Sequence, residues 1–278
     1  MILYFAPGGR LGNQLFQASY IERIRKPGER VFCTRMGSGL RFARGLRGYL
    51  NTDNLLIRKF CEYYLEPLIR SVLVPLGLVT SIVEIYGGVL VERRGRLPIT
   101  YLKGNFQFCE LLHPGTSPGF GFPQPPVEKA RRILEEARGR TPLFVHVRRG
   151  DYLKFAEADP MNPLLPASYY RDAMKLLLDA VPDPHFFFLG DDPRWCADEF
   201  PELEHATIAR HSEPVDLALM SLCSGGLISN STFAWWGAFF CSRTAPVVAP
   251  RYWIGWRSEI WFPARIPSDF LSYIDVRA

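Results

Sequence analysis

The chain has 278 residues, 47% of them hydrophobic, and a net charge of +5. This length and composition allow a large buried core, arranged as two domains or as one large one. Its six cysteines are scattered without a C-x-x-C pair, which argues against a zinc site or a disulfide framework and predicts a reducing compartment.

The first half of the chain opens with a predicted strand, Ile2–Ala6, then a glycine-rich turn and a helix from Gln14 to Arg25. We expect a less regular structure in the rest of this half. The N-terminal sequence reaches Pro7 too soon for the core of a signal peptide. The apolar run Ser71–Val83 is too short to span a bilayer and is interrupted by a proline and a glycine. We therefore predict a cytoplasmic protein.

Basic charge is concentrated between Glu22 and Lys59, where ten lysines and arginines stand against three acids. We interpret this segment first as a solvated basic face. Contact with an anionic ligand, or a peripheral contact with the inner membrane, is the alternative. Helix-turn-helix, zinc-finger and RNA-recognition signatures do not accompany the charge, so we predict no nucleic-acid partner.

A domain boundary is predicted in the proline- and glycine-rich stretch Leu112–Pro126, which suits neither a helix nor a central strand. We place an N-terminal domain at residues 1–125 and a C-terminal domain at residues 126–278. In the second domain we predict helices at Val127–Arg138, Ser168–Ala180, Val215–Cys223 and Thr232–Cys241, and strands at Leu143–Val147, His185–Leu189, Leu227–Ser229 and Val247–Ala249. This alternation predicts an α/β fold with a parallel sheet and helices on its faces.

Polar residues follow three of these predicted strands. They are Arg148, Arg149 and Asp151 after the first, Asp191 and Asp192 after the second, and Asn230, Ser231 and Thr232 after the third. In parallel sheets the ligand site lies at the carboxyl ends of the strands. Three such endings, one of which carries two arginines, therefore predict a binding site at this edge.

The two arginines are expected to have different roles, because adjacent side chains of an extended segment point to opposite sides. A guanidinium group is always charged, and its fork of donors matches phosphate oxygens. We predict that Arg148 faces the ligand and that Arg149 pairs with Asp151. His146 shares the face of Arg148, and we interpret it as a supporting residue.

Three further features give weaker signals. The turn Gly8–Gln17 enters a helix and suits an anion, but it is neither a P-loop nor a dinucleotide fingerprint. Asp192 is predicted to cap a helix that begins at Pro193. Asp191 and Asp192 lack the spacing of an Asp-x-Asp motif, so we predict no metal. The aromatic run Phe233–Phe240 is expected to fill core.

Taken together, three motifs resemble one family. GGRLGNQLFQ near the N-terminus, HVRRGDY in the middle and LMSLCSGGLISNSTFAWWGAFF followed by VVAPRYW are similar to the bacterial α-1,2-fucosyltransferases of glycosyltransferase family 11. These belong to the GDP-fucose-dependent transferases that share H-x-R-R-x-D. The resemblance covers nearly the whole chain. It implies a GT-B fold with two Rossmann-like domains facing across a cleft, an inverting mechanism without metal or cofactor, and GDP-β-L-fucose as the donor.

The resemblance also implies roles for individual residues. Arg148 would contact the β-phosphate of the donor, and His146 would support that arginine or the fucose. Asp192 or Asp191 would read the guanine edge. Hydroxyl groups of Ser231 and Thr232, next to Asn230, would donate to the diphosphate. Gly12 and Asn13 would reach the same phosphates from the N-terminal turn.

Two positions depart from the family pattern. Gly225 stands where relatives often carry a histidine. The segment that resembles G-Y-W-Q-S reads Gly104-Asn105-Phe106-Gln107-Phe108 and lies in the half expected to bind the acceptor. Gln107 is predicted to contact the acceptor there, while the altered neighbours leave the identity of the acceptor open.

An inverting transfer needs a neutralised leaving diphosphate and a deprotonated acceptor hydroxyl. Arg148 serves the first need. Asp151 is expected to orient that arginine, and His113, Glu110 or another carboxylate of the first half are the alternatives for the base. The expected acceptor is a galactose-terminated oligosaccharide or glycolipid, fucosylated in α-1,2 linkage. The alternatives are an α-1,6 or protein O-fucosyltransferase, and a non-catalytic module that binds a nucleotide sugar.

Overall fold

The computed structural model describes residues 1–42, 47–85, 87–112, 120–208 and 210–277. These residues form two compact units. The first comprises Met1–Phe108 and the described residues up to Gly121, and the second comprises residues 109–112 and the described chain from Phe122 onwards. The functional roles assigned to the two halves of the chain stay predictions.

The first unit is built on a six-stranded sheet in the order β3-β2-β1-β6-β4-β5. Its strands are β1 Ile2–Phe5, β2 Val31–Thr34, β3 Tyr49–Thr52, β4 Thr80–Ile85, β5 Val89–Arg93 and β6 Thr100–Lys103. All neighbouring strands are parallel except β4 and β5, which pair antiparallel. Its first helices are α1 Leu11–Ile24 and α2 Gly37–Phe42. The expectation of a less regular first half was wrong. The sheet was difficult to predict because several of these strands have only four residues and show little periodicity.

A helical stretch over residues 55–73 covers one face of this sheet. It consists of α3 Leu55–Phe60, a π-helical segment Cys61–Leu65, α4 Glu66–Leu68 and a second π-helical segment Ile69–Leu73. Cys61 and Ile69 pack with Leu3, Phe5 and Tyr101 of the sheet.

Each π-helical segment ends two residues before a proline, Pro67 or Pro75. A proline ring clashes with the carbonyl four residues before it, and the wider π turn gives that carbonyl room. Within the described residues, no helix is long and apolar enough to cross a membrane.

The second unit contains a six-stranded sheet in the order β12-β11-β10-β7-β8-β9, and all its neighbouring strands are parallel. Its strands are β7 Thr141–Val147, β8 Pro184–Gly190, β9 Ala206–Ile208, β10 Gly225–Leu227, β11 Val247–Pro250 and β12 Ser272–Ile274. Its helices are α5 Gln124–Leu134, α6 Ala167–Ala180, α7 Pro193–Glu199, α8 Glu213–Leu222 and α9 Thr232–Phe240. The predicted α/β alternation is confirmed.

Several boundaries in this unit differ from the predicted ones by one to four residues, and two of the differences have a local cause. Helix α5 begins at Gln124 rather than Val127, because prolines are tolerated in a first turn, where the missing N–H has no intrahelical partner. Strand β10 lies two residues earlier than predicted. A Cβ on Gly226 would lie 2.1 Å from the carbonyl oxygen of Phe144, so only glycine lets β10 approach β7 this closely.

The aromatic run of α9 fills core, as predicted, with Trp235 and Trp236 fully buried. Helix α9 approaches α8 closely, because a Cβ on Gly237 would lie 2.4 Å from the sulfur of Met220. All six cysteines are buried and free.

Candidate functional site

Strands β10, β7 and β8 lie side by side in the second unit, and their carboxyl ends point to the same edge. The register pairs Val145 with Leu227 and Val147 with Gly190. The polar segments that follow the three strands therefore leave the sheet next to one another. This convergence was predicted from the sequence, and the structure confirms it.

Arg148 contacts two carboxylates at this edge. Its Nη2 lies 2.6 Å from Oδ1 of Asp151, and its Nε lies 3.4 Å from Oδ2 of Asp191. Its guanidinium group also lies over the ring of Tyr152, 5.4 Å from the centroid. The Arg148 side chain is 15% exposed, whereas that of Asp151 is 56% exposed. Asp191 is therefore a partly buried counter-ion of Arg148, whereas Asp151 is a counter-ion at the surface.

The predicted pair of Arg149 with Asp151 was wrong. Strand β7 ends at Val147, and the chain turns into a 3₁₀-helix, Gly150–Lys154. Side chains three residues apart come together in such a tight turn, so Asp151 meets Arg148 instead.

Arg149 is held by different partners. Its Nε lies 3.2 Å from Oδ2 of Asp192, and its guanidinium group stacks over Trp195 at 4.3 Å from the ring centroid. Asp192 also caps α7, as predicted, because its Oδ1 accepts the N–H of Trp195 at 3.1 Å. Both carboxylate oxygens of Asp192 are thus engaged within the protein.

Asp191 fixes the backbone of the turn after β7. Its Oδ1 accepts the N–H of Arg149 at 2.8 Å and that of Gly150 at 3.2 Å. A Cβ on Gly150 would lie 2.8 Å from Asp191 Oδ2, so a larger residue would push this carboxylate away. The R-R-G-D segment and the Asp-Asp segment therefore form one ion-paired cluster.

His146 is buried and lies two residues before Arg148 in the chain. Its Nδ1 lies 2.9 Å from the hydroxyl oxygen of Ser229, which is fully buried. Ser229 is not among the predicted site residues, because Ser229 lies inside the predicted strand Leu227–Ser229. Its position directly before Asn-Ser-Thr was the signal that it belongs to the same edge.

Asn230 anchors the segment between β10 and α9. Its Nδ2 donates to the carbonyl oxygen of Pro163 at 2.7 Å, and its backbone carbonyl accepts the hydroxyl of Tyr152 at 3.1 Å. Its Oδ1 is buried and makes no hydrogen bond with the described residues. Ser231 occupies the N-cap position of α9, and Thr232 is the first residue of that helix. A helix N-terminus presents backbone N–H groups and a partial positive charge, which suit an anion.

The predicted residues of the first unit form a second group. Gly12 and Asn13 lie in the first turn of α1, and Asn13 Oδ1 accepts Nε2 of Gln107 at 3.1 Å. A residue predicted to bind the donor thus contacts one predicted to bind the acceptor. Glutamines that the sequence analysis did not single out hold the glycine turn: Gln14 Nε2 donates to the Gly9 carbonyl at 3.1 Å.

Glu84 fixes the segment that contains Gln107, and the sequence analysis did not name it. Its Oε2 accepts the N–H of Asn105 at 2.7 Å and that of Phe106 at 2.6 Å. Phe106 has a φ of 53° and Gly104 a φ of 150°, so this turn is in a conformation that needs support. In the sequence, the signal for this role of Glu84 is a carboxylate on a strand that neighbours a glycine turn.

Two of the proposed bases have structural partners. Asp151 pairs with Arg148, and Glu110 forms an ion pair with Arg265. His113 lies outside the described residues. The roles of these residues, and the absence of a metal, stay predictions.

Comparison with known proteins identifies the second unit. Residues 129–256 match the model of the family described as glycosyl transferase family 11. This match covers less than half of the chain, and over these residues the chain is similar to that family. The matched segment includes the whole cluster around Arg148, whereas Gly12, Asn13 and Gln107 lie outside it.

Curated relatives are similar to the chain over a segment of about the same length as the family 11 match. The chain is similar to the O-antigen biosynthesis glycosyltransferase WbnK of Escherichia coli, with 31% identity over 128 residues that cover 44% of this chain and 42% of the relative. It is similar to the α-1,2-colitosyltransferase of Escherichia coli, with 31% identity over 130 residues and 45% of each protein covered. A galactoside α-(1,2)-fucosyltransferase 1 of Saimiri boliviensis boliviensis is 29% identical over 124 residues, which cover 40% of this chain and 34% of that protein. The chain thus spans less than half the length of these relatives.

A solved structure extends the similarity of the fold to the whole chain. The Escherichia coli ADP-heptose LPS heptosyltransferase II superposes with a TM-score of 0.53 at 12% identity, over 98% of this chain and 89% of that protein. Together with the two α/β sheets of parallel or mainly parallel strands, this confirms the predicted GT-B type of fold.

Proposed function

We propose that this protein is an inverting, metal-independent fucosyltransferase that moves L-fucose from GDP-β-L-fucose to a galactoside hydroxyl, in α-1,2 linkage. The observation that carries the proposal is the position of Arg148. It lies in the family 11 segment, at the carboxyl ends of three parallel strands and beside the strand-to-helix segment that opens α9. Phosphate groups bind at such an edge in doubly wound folds.

In this proposal Arg148 stabilises the leaving diphosphate. Negative charge develops on the oxygen that joins the phosphate to the sugar as that bond breaks, and a fixed guanidinium lowers the energy of this state without a metal. Asp191 holds the Nε side of Arg148, while the exposed Asp151 occupies Nη2. The diphosphate takes the place of Asp151 at Nη2 when the donor binds.

Backbone N–H groups and side-chain hydroxyls supply the remaining neutralisation. The N-terminus of α9 and the hydroxyls of Ser231 and Thr232 donate to the diphosphate. Gln107 contacts the acceptor, because an amide both donates to and accepts from sugar hydroxyls. Leaving-group stabilisation, rather than a strong base, accounts for most of the rate in this scheme.

A panel of acceptors tests the proposal. GDP release from GDP-β-L-fucose is measured with β-galactosides, with the matching β-glucosides and without acceptor, in the presence and absence of EDTA. We expect release with galactosides only, insensitive to EDTA, and a product with an α-1,2 linkage by NMR. Binding of GDP-fucose without turnover on any acceptor would instead support a non-catalytic module, and an α-1,6 or peptide-linked product would support the other fucosyltransferase classes.

A colitosyl donor is the second candidate, and it rests on the similarity to the relative named as an α-1,2-colitosyltransferase. Colitose is fucose without its 3-hydroxyl group. A site that hydrogen-bonds this hydroxyl rejects the deoxy sugar strongly, whereas an apolar site discriminates weakly. The ratio of kcat/KM for the two GDP-linked sugars decides between the donors.

A further inference from the structure

The outward side of the helical stretch over residues 55–73 carries a row of exposed apolar side chains. They occur at every fourth position: Leu56, Phe60, Tyr64, Leu68, Val72 and, just beyond the last π segment, Leu76. Leu56 is 77% exposed, Tyr64 69% and Leu76 63%. Leu55, Ile57 and Tyr63 beside the row are also exposed. Single exposed apolar residues are common on soluble proteins, but a continuous row marks a surface that binds something.

The alternation of α and π segments keeps this row on one side. In a regular α-helix, side chains four residues apart drift steadily around the axis, since one turn takes 3.6 residues. A π turn takes more residues and reverses the drift. The inward residues Cys61 and Ile69 follow the same spacing and are buried against the sheet. The stretch thus has one apolar side for the core and a second apolar side that faces solvent.

The charged residues of this stretch are sorted between the two sides. Its two acids are held by cations of the protein: Glu66 accepts Nζ of Lys103 at 2.6 Å, and Glu62 pairs with Arg35. Arg70 follows Glu62 and Glu66 at the same four-residue spacing and so lies on their side. Lys59, by contrast, is exposed and lies between the exposed Leu55 and Tyr63, each four residues away. The outward side therefore combines the apolar row with a cation, and the acids of the stretch are occupied elsewhere.

We propose that this surface, residues 55–76, docks on an anionic lipid bilayer. The apolar row enters the boundary between headgroups and acyl chains, Lys59 contacts the anionic headgroups, and the tyrosine hydroxyls stay at the polar level. A second copy of the chain fits less well, because a symmetric interface would bring the same cation of both copies together. The proposal does not depend on the sugar that the protein transfers.

Vesicle binding tests the proposal directly. Full-length protein is sedimented with vesicles of phosphatidylcholine alone and of phosphatidylcholine mixed with phosphatidylglycerol. We expect binding to the anionic vesicles that weakens with added salt. Replacing Leu56, Phe60 and Tyr64 by serine should reduce the affinity at least about 10-fold, and Lys59→Gln should reduce it about 5-fold.

A matched variant controls for the loss of exposed apolar groups. Leu176, Leu178 and Ile260 are exposed apolar residues of the second unit, and their triple serine variant should bind like the wild type. Circular dichroism checks that all variants are folded. The proposal is overturned if the wild type ignores anionic vesicles or if the Leu56, Phe60 and Tyr64 variant binds them equally well. It is also overturned if sedimentation velocity shows a dimer that this variant dissociates while vesicles are not bound.

Discussion

The guanidinium of Arg148 and the carboxylate of Asp151 form an ion pair, with 2.6 Å between Nη2 and Oδ1. Together with Asp191, Asp192 and Arg149 they form a cluster of three acids and two cations. This cluster has a net negative charge, so it does not attract a diphosphate as it stands. Displacement of the exposed Asp151 would leave Arg148 available to an anion.

Arg148→Ala is expected to abolish transfer while the protein stays folded. Loss of a fixed cation from a developing anion costs on the order of 10²–10³ in kcat. Steady-state rates with GDP-fucose and a galactoside measure the effect. Arg171→Ala is the control, since Arg171 on α6 is exposed and pairs with Glu199 on α7, away from the cluster. A near-wild-type rate for Arg148→Ala would contradict the proposed function.

Asp151→Asn is expected to bind GDP several-fold more tightly than the wild type at low ionic strength. The amide carries no charge, so it no longer competes with the diphosphate for Arg148, and screening by salt reduces the gain. Isothermal titration calorimetry at two salt concentrations measures it. Asp275→Asn removes an exposed carboxylate that pairs with Arg251 and should change nothing. Weaker GDP binding by Asp151→Asn would show that Asp151 holds Arg148 in its binding orientation.

Arg149→Ala is expected to lower the free energy of unfolding by about 1–3 kcal/mol, because it removes a partly buried ion pair and a cation–π contact. The substitution also leaves Oδ2 of Asp192 without its cation. Urea unfolding measures the change. Arg149→Lys keeps the charge but loses the planar stacking on Trp195, so it should recover only part of the stability. Wild-type stability of Arg149→Ala would show that this arginine is not the brace of the cluster.

Glu84→Ala is expected to raise the KM for the galactoside more than the KM for GDP-fucose. Without Glu84 the N–H groups of Asn105 and Phe106 lose their acceptor, and the turn that carries Gln107 loosens. Initial rates with each substrate varied in turn separate the two constants. Glu92→Ala, on the exposed strand β5, is the control. Equal changes in both KM values would remove the link between this turn and the acceptor.

Asp216→Asn is expected to stabilise the protein at pH 8 and to have little effect at pH 4. Burial, with help from Glu213, raises the pKa of the Asp216 carboxyl to about 7. Stability from this group is therefore full below its unfolded pKa, near 3.8, and is lost as the pH rises through about 7. The amide mimics the protonated acid and avoids the loss.

Urea unfolding of the wild type and of Asp216→Asn between pH 4 and pH 8 measures the difference in the free energy of unfolding. His211, whose Nδ1 lies 3.2 Å from Asp216, has a pKa lowered by burial, which contributes a slope of the opposite sign. Asp275→Asn should leave the profile unchanged. A stability difference independent of pH would show that folding does not change the pKa of Asp216.

The sequence by itself determined the α/β alternation of the second unit and the edge of the sheet where the polar residues meet. Hydrophobic periodicity and the positions just after strands carry that information, because they depend on residues close together in the chain. The aromatic run of α9 and the cap at Asp192 were predicted for the same reason.

Tertiary structure alone decided which charges pair and which surfaces stay exposed. The partner of Asp151 depends on where β7 ends and how tightly the next turn closes, and the sequence pattern does not give either. Strand β10 contains Gly226, where the backbone of β7 lies too close for a Cβ. Glu84 holds residues 105 and 106 through contacts between segments far apart in the chain. The apolar row from Leu56 to Leu76 stays exposed because no other described segment packs on it. Such contacts are set by packing, and local sequence does not encode them one residue at a time.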